Sequence, residues 1–307
     1  MLNILIPTFN RIEFLLDNLV LLSEIIKKGN FEENVSIIIS DNCSTDDTFS
    51  AITQFKNEVN TKIELYRQDV NIGLKNNALF VLEKSTSDYV MYLGDDDFIS
   101  YEYLIACIGI LNNDPDTSVI VPNYVPVSVD NVIVDDSRDP IGAIQKYPPG
   151  FSSILHYSWK GHQLSGLVFK RNGLLEDYKK FKVDNIYLFI FFVAVSGLKG
   201  TSYQIKDYPV RVTQPVKKKD WGYGDDGLVN EIFDNYRKLP VTYVQRFKLE
   251  FNHLLQQWWR LFMYRQQGTG LFFKALLKIA FAKNASLLFS ASIPVLLVLI
   301  KLRLKLK

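Results

Sequence analysis

The sequence predicts an α/β protein, a mainly parallel sheet flanked by helices, followed by an all-helical segment. Short β-branched runs alternate with segments of helical spacing through the first 120 residues, the order that parallel strands with crossover helices require. Each early apolar run ends in a cluster of polar residues rather than in a tight hairpin turn. From residue 241 onward no strand pattern recurs. The 307 residues are 48% hydrophobic and 22% charged, which excludes a disordered or collagen-like chain, and 21 Phe with 16 Tyr supply a sizeable core.

Residues 3–6 form a short apolar strand ended by Pro7. Residues 12–28 place Leu15, Leu19, Leu22 and Ile26 on one helical face and stop at Gly29. Residues 35–40 are a continuous β-branched run, the composition of a strand buried on both faces. Thr45, Asp46 and Asp47 open a helix reaching about Glu58, their oxygens suited to its first turn. Strands over 62–67 and 89–93 enclose a helix over 74–84, and a helix over 101–112 leads to a strand over 118–121. Beyond Pro122 the pattern loosens. Residues 124–134 alternate like a hairpin, 138–150 read as loop, and 164–170 as a strand. A buried helix over 185–195, an edge strand over 201–205 and a polar loop over 217–227 complete this half.

Four consecutive strand ends carry polar residues, and in a parallel sheet all four lie on the edge where ligands bind. They read Pro7-Thr8-Phe9-Asn10-Arg11, then Asp41-Asn42-Cys43-Ser44-Thr45-Asp46-Asp47, then Asn71-Ile72-Gly73 with Asn76, then Gly94-Asp95-Asp96-Asp97. Three adjacent carboxylates repel one another, so a divalent cation is the expected partner, with helix capping as the plainer explanation. Oxygen-only ligation suits Mn²⁺ or Mg²⁺. No Gly-x-Gly-x-x-Gly follows the first strand, which excludes a dinucleotide oxidoreductase.

Of the 35 Lys/Arg, nine lie in residues 251–307, which hold no acid. The first 250 residues therefore carry 33 acids against the remaining 26 and are acidic by seven. That asymmetry does not describe a nucleic-acid binder. It describes a soluble body with a segment suited to an anionic membrane surface. Residues 284–300 are uncharged and would span ~26 Å as a helix, short of a ~30 Å hydrocarbon core. Flanking lysines, Trp258 and Trp259 favour helices lying in the interface over spanning or core-packing ones. Cys43 and Cys107 offer neither a disulfide framework nor zinc spacing, and Met1–Pro7 lacks a basic n-region, so a cytoplasmic location is expected.

The ordered strand-end motifs resemble those of family 2 glycosyltransferases of the GT-A fold, over roughly the first 100 residues. Ser165-Gly166-Leu167-Val168-Phe169-Lys170-Arg171 resembles the strand that begins their acceptor half. Within that family the similarity is to bacterial O-antigen and capsule sugar transferases, including the abequosyltransferase-like group. The resemblance implies a catalytic domain over 1–240, with a nucleotide-sugar half to 121 and an acceptor half from 122, and a membrane-associating tail over 241–307. It implies that Pro7, Thr8, Asn10 and Arg11 line a nucleotide pocket, that Asp41 bonds the base, and that Asn71, Gly73 and Asn76 border ribose and donor sugar. The family's usual Asp-x-Asp-Asp has Gly94 at its first position here. Asp96 then matches the metal-contacting aspartate, with Asp95 or Asp97 serving as a second metal ligand or contacting the donor.

The implied reaction is an inverting, metal-dependent transfer of a sugar from a UDP-, GDP-, dTDP- or CDP-linked donor to a saccharide hydroxyl. The acceptor would be carried on a polyprenyl diphosphate, and the enzyme attached peripherally to the inner face of the membrane. Arg211 is the candidate cation for the diphosphate, and Lys217, Lys218 and Lys219 with Trp221 and Gly222 a candidate lid. Asp184 is the candidate general base and Asp177 the reserve, while Asp225 and Asp226 read as helix caps. His162 is a further polar residue near the acceptor strand. A catalytically inactive sugar-nucleotide-binding subunit is the alternative.

Overall fold

The computed structural model describes residues 1–214 and 228–305. The lysine run 217–219, Trp221, Gly222, Asp225 and Asp226 lie outside the described residues.

The elements β1 (Leu2–Thr8), α1 (Ile12–Lys28), β2 (Val35–Asp41), α2 (Thr48–Glu58), β3 (Ile63–Arg67), α3 (Gly73–Lys84), β4 (Tyr89–Tyr92), α4 (Tyr101–Asn113) and β5 (Thr117–Val127) follow one another in the expected alternation. They continue through β6 (Gln145–Tyr147), α5 (Phe151–Tyr157), a 3₁₀ turn (Ser158–His162), β7 (Val168–Lys170), α6 (Leu174–Lys180), α7 (Leu188–Lys199) and β8 (Thr201–Thr213). One sheet contains all eight strands in the order β3-β2-β1-β4-β7-β5-β8-β6. Only β7 and β6 run against the rest, so the sheet is mainly parallel. The strand order reverses beside β1, because β2 and β3 lie to one side of it and β4 to the other. A crevice opens at such a reversal, between helices packed on opposite faces.

The two-residue period of a strand sends alternate side chains to two cores. Ile4 and Ile6 of β1 pack with Leu15 and Leu19 of α1 and Tyr103 of α4. Leu5 faces the other layer, where Val81 of α3 and Phe192 of α7 are buried. α7 is apolar on nearly every face because it fills that layer's centre: Leu188 to Gly197 are all buried.

Several elements differ from the expectations, each for a tertiary reason. β8 is a 13-residue interior strand rather than a short edge strand, because β6, within the expected loop, pairs along its outer side. β5 extends to Val127 because its second half pairs with residues 210–213 of β8. Only a single antiparallel bridge, Val127 with Ile133, remains of the expected hairpin. The C-terminal helices are α8 (Leu228–Lys238), α9 (Tyr243–Gln256), α10 (Trp259–Gln267), α11 (Thr269–Ala280) and α12 (Leu287–Lys305). Leu249 and Leu254 of α9, with Leu296 of α12, join the same core as α7. The wholly buried Glu250 accepts from Arg246 Nε at 2.7 Å and from the Ser286 amide at 3.1 Å, tying the start of α12 to α9.

Candidate active site

Register places a polar residue at the end of each of three neighbouring strands, and a side-chain hydrogen bond joins Asp95, three residues beyond β4, to them. Asp41 of β2 lies beside both Arg67 of β3 and Thr8 of β1. Thr8 Oγ1 donates to Asp95 Oδ2 at 2.8 Å, immediately beyond β4. Pro7 is buried inside β1, so Thr8 rather than Pro7 reaches the edge. Asp41 is wholly buried. Its Oδ1 accepts from the Ser44 amide at 3.0 Å, while Oδ2 has no hydrogen-bond partner among the described residues and faces Arg67 Nε at 3.5 Å.

Within the triplet each acid has a protein partner: Thr8 for Asp95, Arg11 for Asp96 and Ser165 for Asp97. Asp97 is buried, and its carboxylate accepts from Ser165 Oγ, from Gln163 Nε2 at 3.1 Å and from the Thr213 amide at 2.9 Å. So enclosed, the Asp97 carboxylate is directed into the protein. Burial, with Asp96's charge next, pushes Asp97 up to about 7 and Asp95 up to about 6. Asp95 and Asp96 are both partly exposed, and Asp96 Oδ2 lies 3.5 Å from Arg11 Nη1. The acids do not cap α4 either, since Ser100 does so by accepting from the Tyr103 amide at 3.1 Å.

Gly94 explains why the first position of the motif is not an acid. A Cβ there would lie 2.9 Å from Asp97 Oδ2 and 3.1 Å from Ser165 Oγ. The Gly94 amide donates to Ser165 Oγ at 2.9 Å, and its carbonyl accepts from Asn18 Nδ2 at 3.1 Å.

The rim beside β1 and β3 is built from asparagines. Asn10, at φ +53°, accepts from the Thr45 amide at 2.9 Å and donates its own amide to Ser44 Oγ at 2.9 Å. Asn42 accepts from the Ile72 amide and donates to Asn71 Oδ1, both at 2.9 Å, and Asn71 Oδ1 also accepts from the Gly73 amide. Gly73 has φ +79° with open space about it, so glycine is there for backbone conformation. Asn76 is exposed and donates to the Ile72 carbonyl at 2.8 Å.

On the acceptor side, Arg211 exchanges two backbone hydrogen bonds with Phe98 at 2.9 Å, directly after the triplet, and its side chain is exposed. Asp184 lies four residues before α7 rather than at its cap, and pairs with Lys75 in the first turn of α3. That contact brings it to the rim near Asn71 and Gly73. Asp177 is not brought to the site. It pairs with Lys199, just before β8 begins, on the sheet edge opposite the triplet. β7 runs antiparallel and delivers α6 to that far edge, which the sequence does not reveal.

His162 stacks on Trp159, its Nδ1 is 3.0 Å from the Trp159 carbonyl, and burial with Arg138 nearby pushes it down to about 3, so the ring is neutral. Beside it, Lys160 Nζ donates to Asp139 Oδ1 at 2.6 Å. Burial and the Arg138 charge push this lysine down to about 8. Ser165, Gln163, Thr213, Lys75 and Asn42 were not singled out from sequence. Ser165 and Thr213 lie 68 and 116 residues from Asp97, and no local pattern joins them.

A family model described as Glycosyl transferase family 2 matches residues 3–170, more than half of the chain. The chain belongs to glycosyl transferase family 2. Abequosyltransferase RfbV of Salmonella typhimurium is 34% identical to this family 2 chain over 111 residues, 36% of this chain and 32% of that protein. Poly(ribitol-phosphate) beta-N-acetylglucosaminyltransferase TarS of Staphylococcus aureus is 24% identical over 103 residues, 33% of this chain and 17% of that protein. These matches span a third or less of the length of the curated relatives. The crystal structure of S. aureus TarS 1–349 in complex with UDP-GlcNAc superposes with a TM-score of 0.70 at 14% identity, covering 97% of this chain and 86% of that one. Mannosyltransferase PcManGT from Pyrobaculum calidifontis, in complex with GDP-Man and Mn2+, gives a TM-score of 0.54 at 14% identity over 98% of this chain. At such identities these structures establish the shared GT-A fold of this family 2 member.

Proposed function

We propose that the protein transfers a glycosyl unit from a nucleotide-sugar donor to a hydroxyl of a saccharide acceptor, with inversion, in the synthesis of a surface polysaccharide. One observation carries the reading: Arg67, Asp41, Thr8 and Asp95 stand in line across β3, β2, β1 and the end of β4, with Asp96 directed outward beside Arg11. Structural relatives are described in complex with UDP-GlcNAc and GDP-Man, donors of the class this edge suits.

Mn²⁺ or Mg²⁺ fits the residues present. The described residues hold no cluster of three or more His, Cys, Asp or Glu able to cage an ion. Mg²⁺-type sites commonly use one or two carboxylates and complete the shell with water and substrate phosphate. Asp96 would hold the ion, with Asp95 as the second carboxylate within the same turn. When bound, the ion would stabilise the charge that develops on the departing nucleoside diphosphate.

The chain's own groups do the rest. Asp41 and the asparagine rim orient base and ribose. Arg11 and the exposed Arg211 offset diphosphate charge, more strongly as the leaving group departs. Asp184 exchanges Lys75 for the acceptor hydroxyl, takes its proton as the glycosidic bond forms, and so acts as general base. A polyprenyl-diphosphate-linked acceptor places the enzyme peripherally on the inner face of the cell membrane.

The test is a thermal-shift screen of nucleoside diphosphates and nucleotide sugars with and without Mn²⁺. One nucleotide class should raise the melting temperature by mass action. Asp96→Ala should remove the Mn²⁺-dependent part of that rise. No stabilisation by any nucleotide sugar would overturn the reading.

A further inference from the structure

We propose that the outward face of α11 and α12 docks on an anionic lipid bilayer and holds the acceptor side of the site against the membrane plane. The second half of this statement rests on the membrane-borne acceptor proposed above; the first stands on the surface itself.

α12 is apolar on both of its faces. Phe289, Ile293, Leu296 and Ile300 are buried against the core, whereas Leu288, Val295 and Leu299 along one flank, and Leu287 and Val298 opposite, are exposed. On α11 the same division recurs. Ala275, Leu276 and Ile279 are buried, and Phe273 and Leu277, with Phe281 just past the end of the helix, are exposed at four-residue spacing, Phe281 by 79%. A helix facing water on its outer side ordinarily carries polar residues there. Contiguous exposed apolar surface on two neighbouring helices marks a binding face.

Charge selects the occupant. Residues 251–307 hold nine Lys/Arg and no acid, and Lys274, Lys283 and Lys301 are exposed around the apolar stripes. Long basic chains can lay their stems along apolar surface while the ammonium groups reach anionic headgroups. A second copy of this chain would set Lys274, Lys283 and Lys301 against the same lysines of its partner, and the repulsion disfavours self-association.

The helices lie on the bilayer and do not cross it. The uncharged part of α12 from Leu287 to Ile300 measures ~21 Å, against a ~30 Å hydrocarbon core. No helix among the described residues is long and apolar enough to cross a membrane. Its inner face is committed to the core. At its start Glu250 accepts from the Ser286 amide, and the Leu287 amide donates to Tyr243 Oη at 2.8 Å.

The same bundle is joined to the acceptor side. Asn252 of α9 donates to the Leu155 carbonyl at 2.7 Å, just before the 3₁₀ turn that leads to Gln163 and Ser165. Asn235 of α8 exchanges side-chain hydrogen bonds with Asn185, the neighbour of Asp184. α8 and α9 thus connect the bundle that carries the docking face to the segments holding Asp184, Gln163 and Ser165.

The experiment is flotation of the full chain with vesicles of phosphatidylcholine alone and of phosphatidylcholine with phosphatidylglycerol, in parallel with light scattering of the free protein. Binding is expected to the phosphatidylglycerol vesicles and to weaken with salt. The pair Val295→Glu and Leu299→Glu should reduce it on the order of tenfold or more, because two apolar contacts are replaced by charges that anionic lipid repels. Both side chains are exposed, so the melting temperature should stay within about 2 °C of wild type, which separates lost docking from lost folding. Wild-type protein that fails to float, a double variant that floats as well as wild type, or a stable dimer that this variant dissolves would each overturn the proposal. Flotation needs no donor and the nucleotide screen needs no vesicle, so the two readings fail separately.

Discussion

Replacing Ser165 by alanine removes two hydrogen bonds from the floor of the site. The Ser165 hydroxyl donates to Asp97 and accepts from the Gly94 amide at 2.9 Å, and it is fully buried. A hydrogen bond to a charged acceptor contributes about 1.5–3 kcal/mol, and a buried amide left without a partner costs about 1–3 kcal/mol. These terms share one atom and are not additive, so a loss of about 2–4 kcal/mol is expected. At roughly 2 °C per kcal/mol for a chain of this size, the melting temperature should fall by about 4–8 °C. Thermal unfolding followed by circular dichroism at pH 8, where Asp97 with its value of about 7 is mostly ionised, reads this directly. Donor binding should weaken only as the turn loosens. A variant that melts with wild type yet no longer binds nucleotide sugar would refute the reasoning, since Asp97 would then be a ligand and not a brace.

Asp96→Ala should leave the melting temperature within about 1 °C, because Asp96 is partly exposed with one long ion pair, while glycosyl transfer falls by about 100-fold or more. Asp184→Asn should lower turnover by about 100- to 10,000-fold while the donor's thermal shift persists; unchanged turnover would remove Asp184 as the base. Gly94→Ala should destabilise the protein by about 1–3 kcal/mol in denaturant titrations, because its methyl would press on Asp97 and Ser165. His253 is buried, with its Nδ1 2.9 Å from Tyr236 Oη, and burial, then His162 and Arg260, hold it well below the usual histidine range. The folded state thus binds fewer protons than the unfolded one below about pH 6.5, and stability is lost as pH falls. His253→Gln should flatten the decline in melting temperature between pH 7 and pH 5.

Much of the site was legible because its residues are contiguous in the chain. Parallel strands deliver their ends to one edge, so four polar clusters that follow four apolar runs must converge, whatever the loops between them do. The second half was less legible for a physical reason that particular elements show. β8 carries alternating and polar residues, and whether it lies at an edge depends on β6, three residues that read as loop. Asp177 and Asp184 are both acids near helix starts in sequence. The antiparallel entry of β7 sends one to the far side of the sheet and leaves the other at the rim.

Local sequence determined the alternation of strands and helices, the polar strand ends and the apolar, basic character of the last helices, because each is a property of neighbouring residues and their periodicity. Tertiary structure alone decided that Asp97 turns inward, since that depends on Ser165 and Thr213, far away in sequence, enclosing it. It likewise decided that α9 belongs to the core while α11 and α12 keep an open apolar face. Hydrophobic periodicity says that a helix has a face to bury, and only packing shows what covers it.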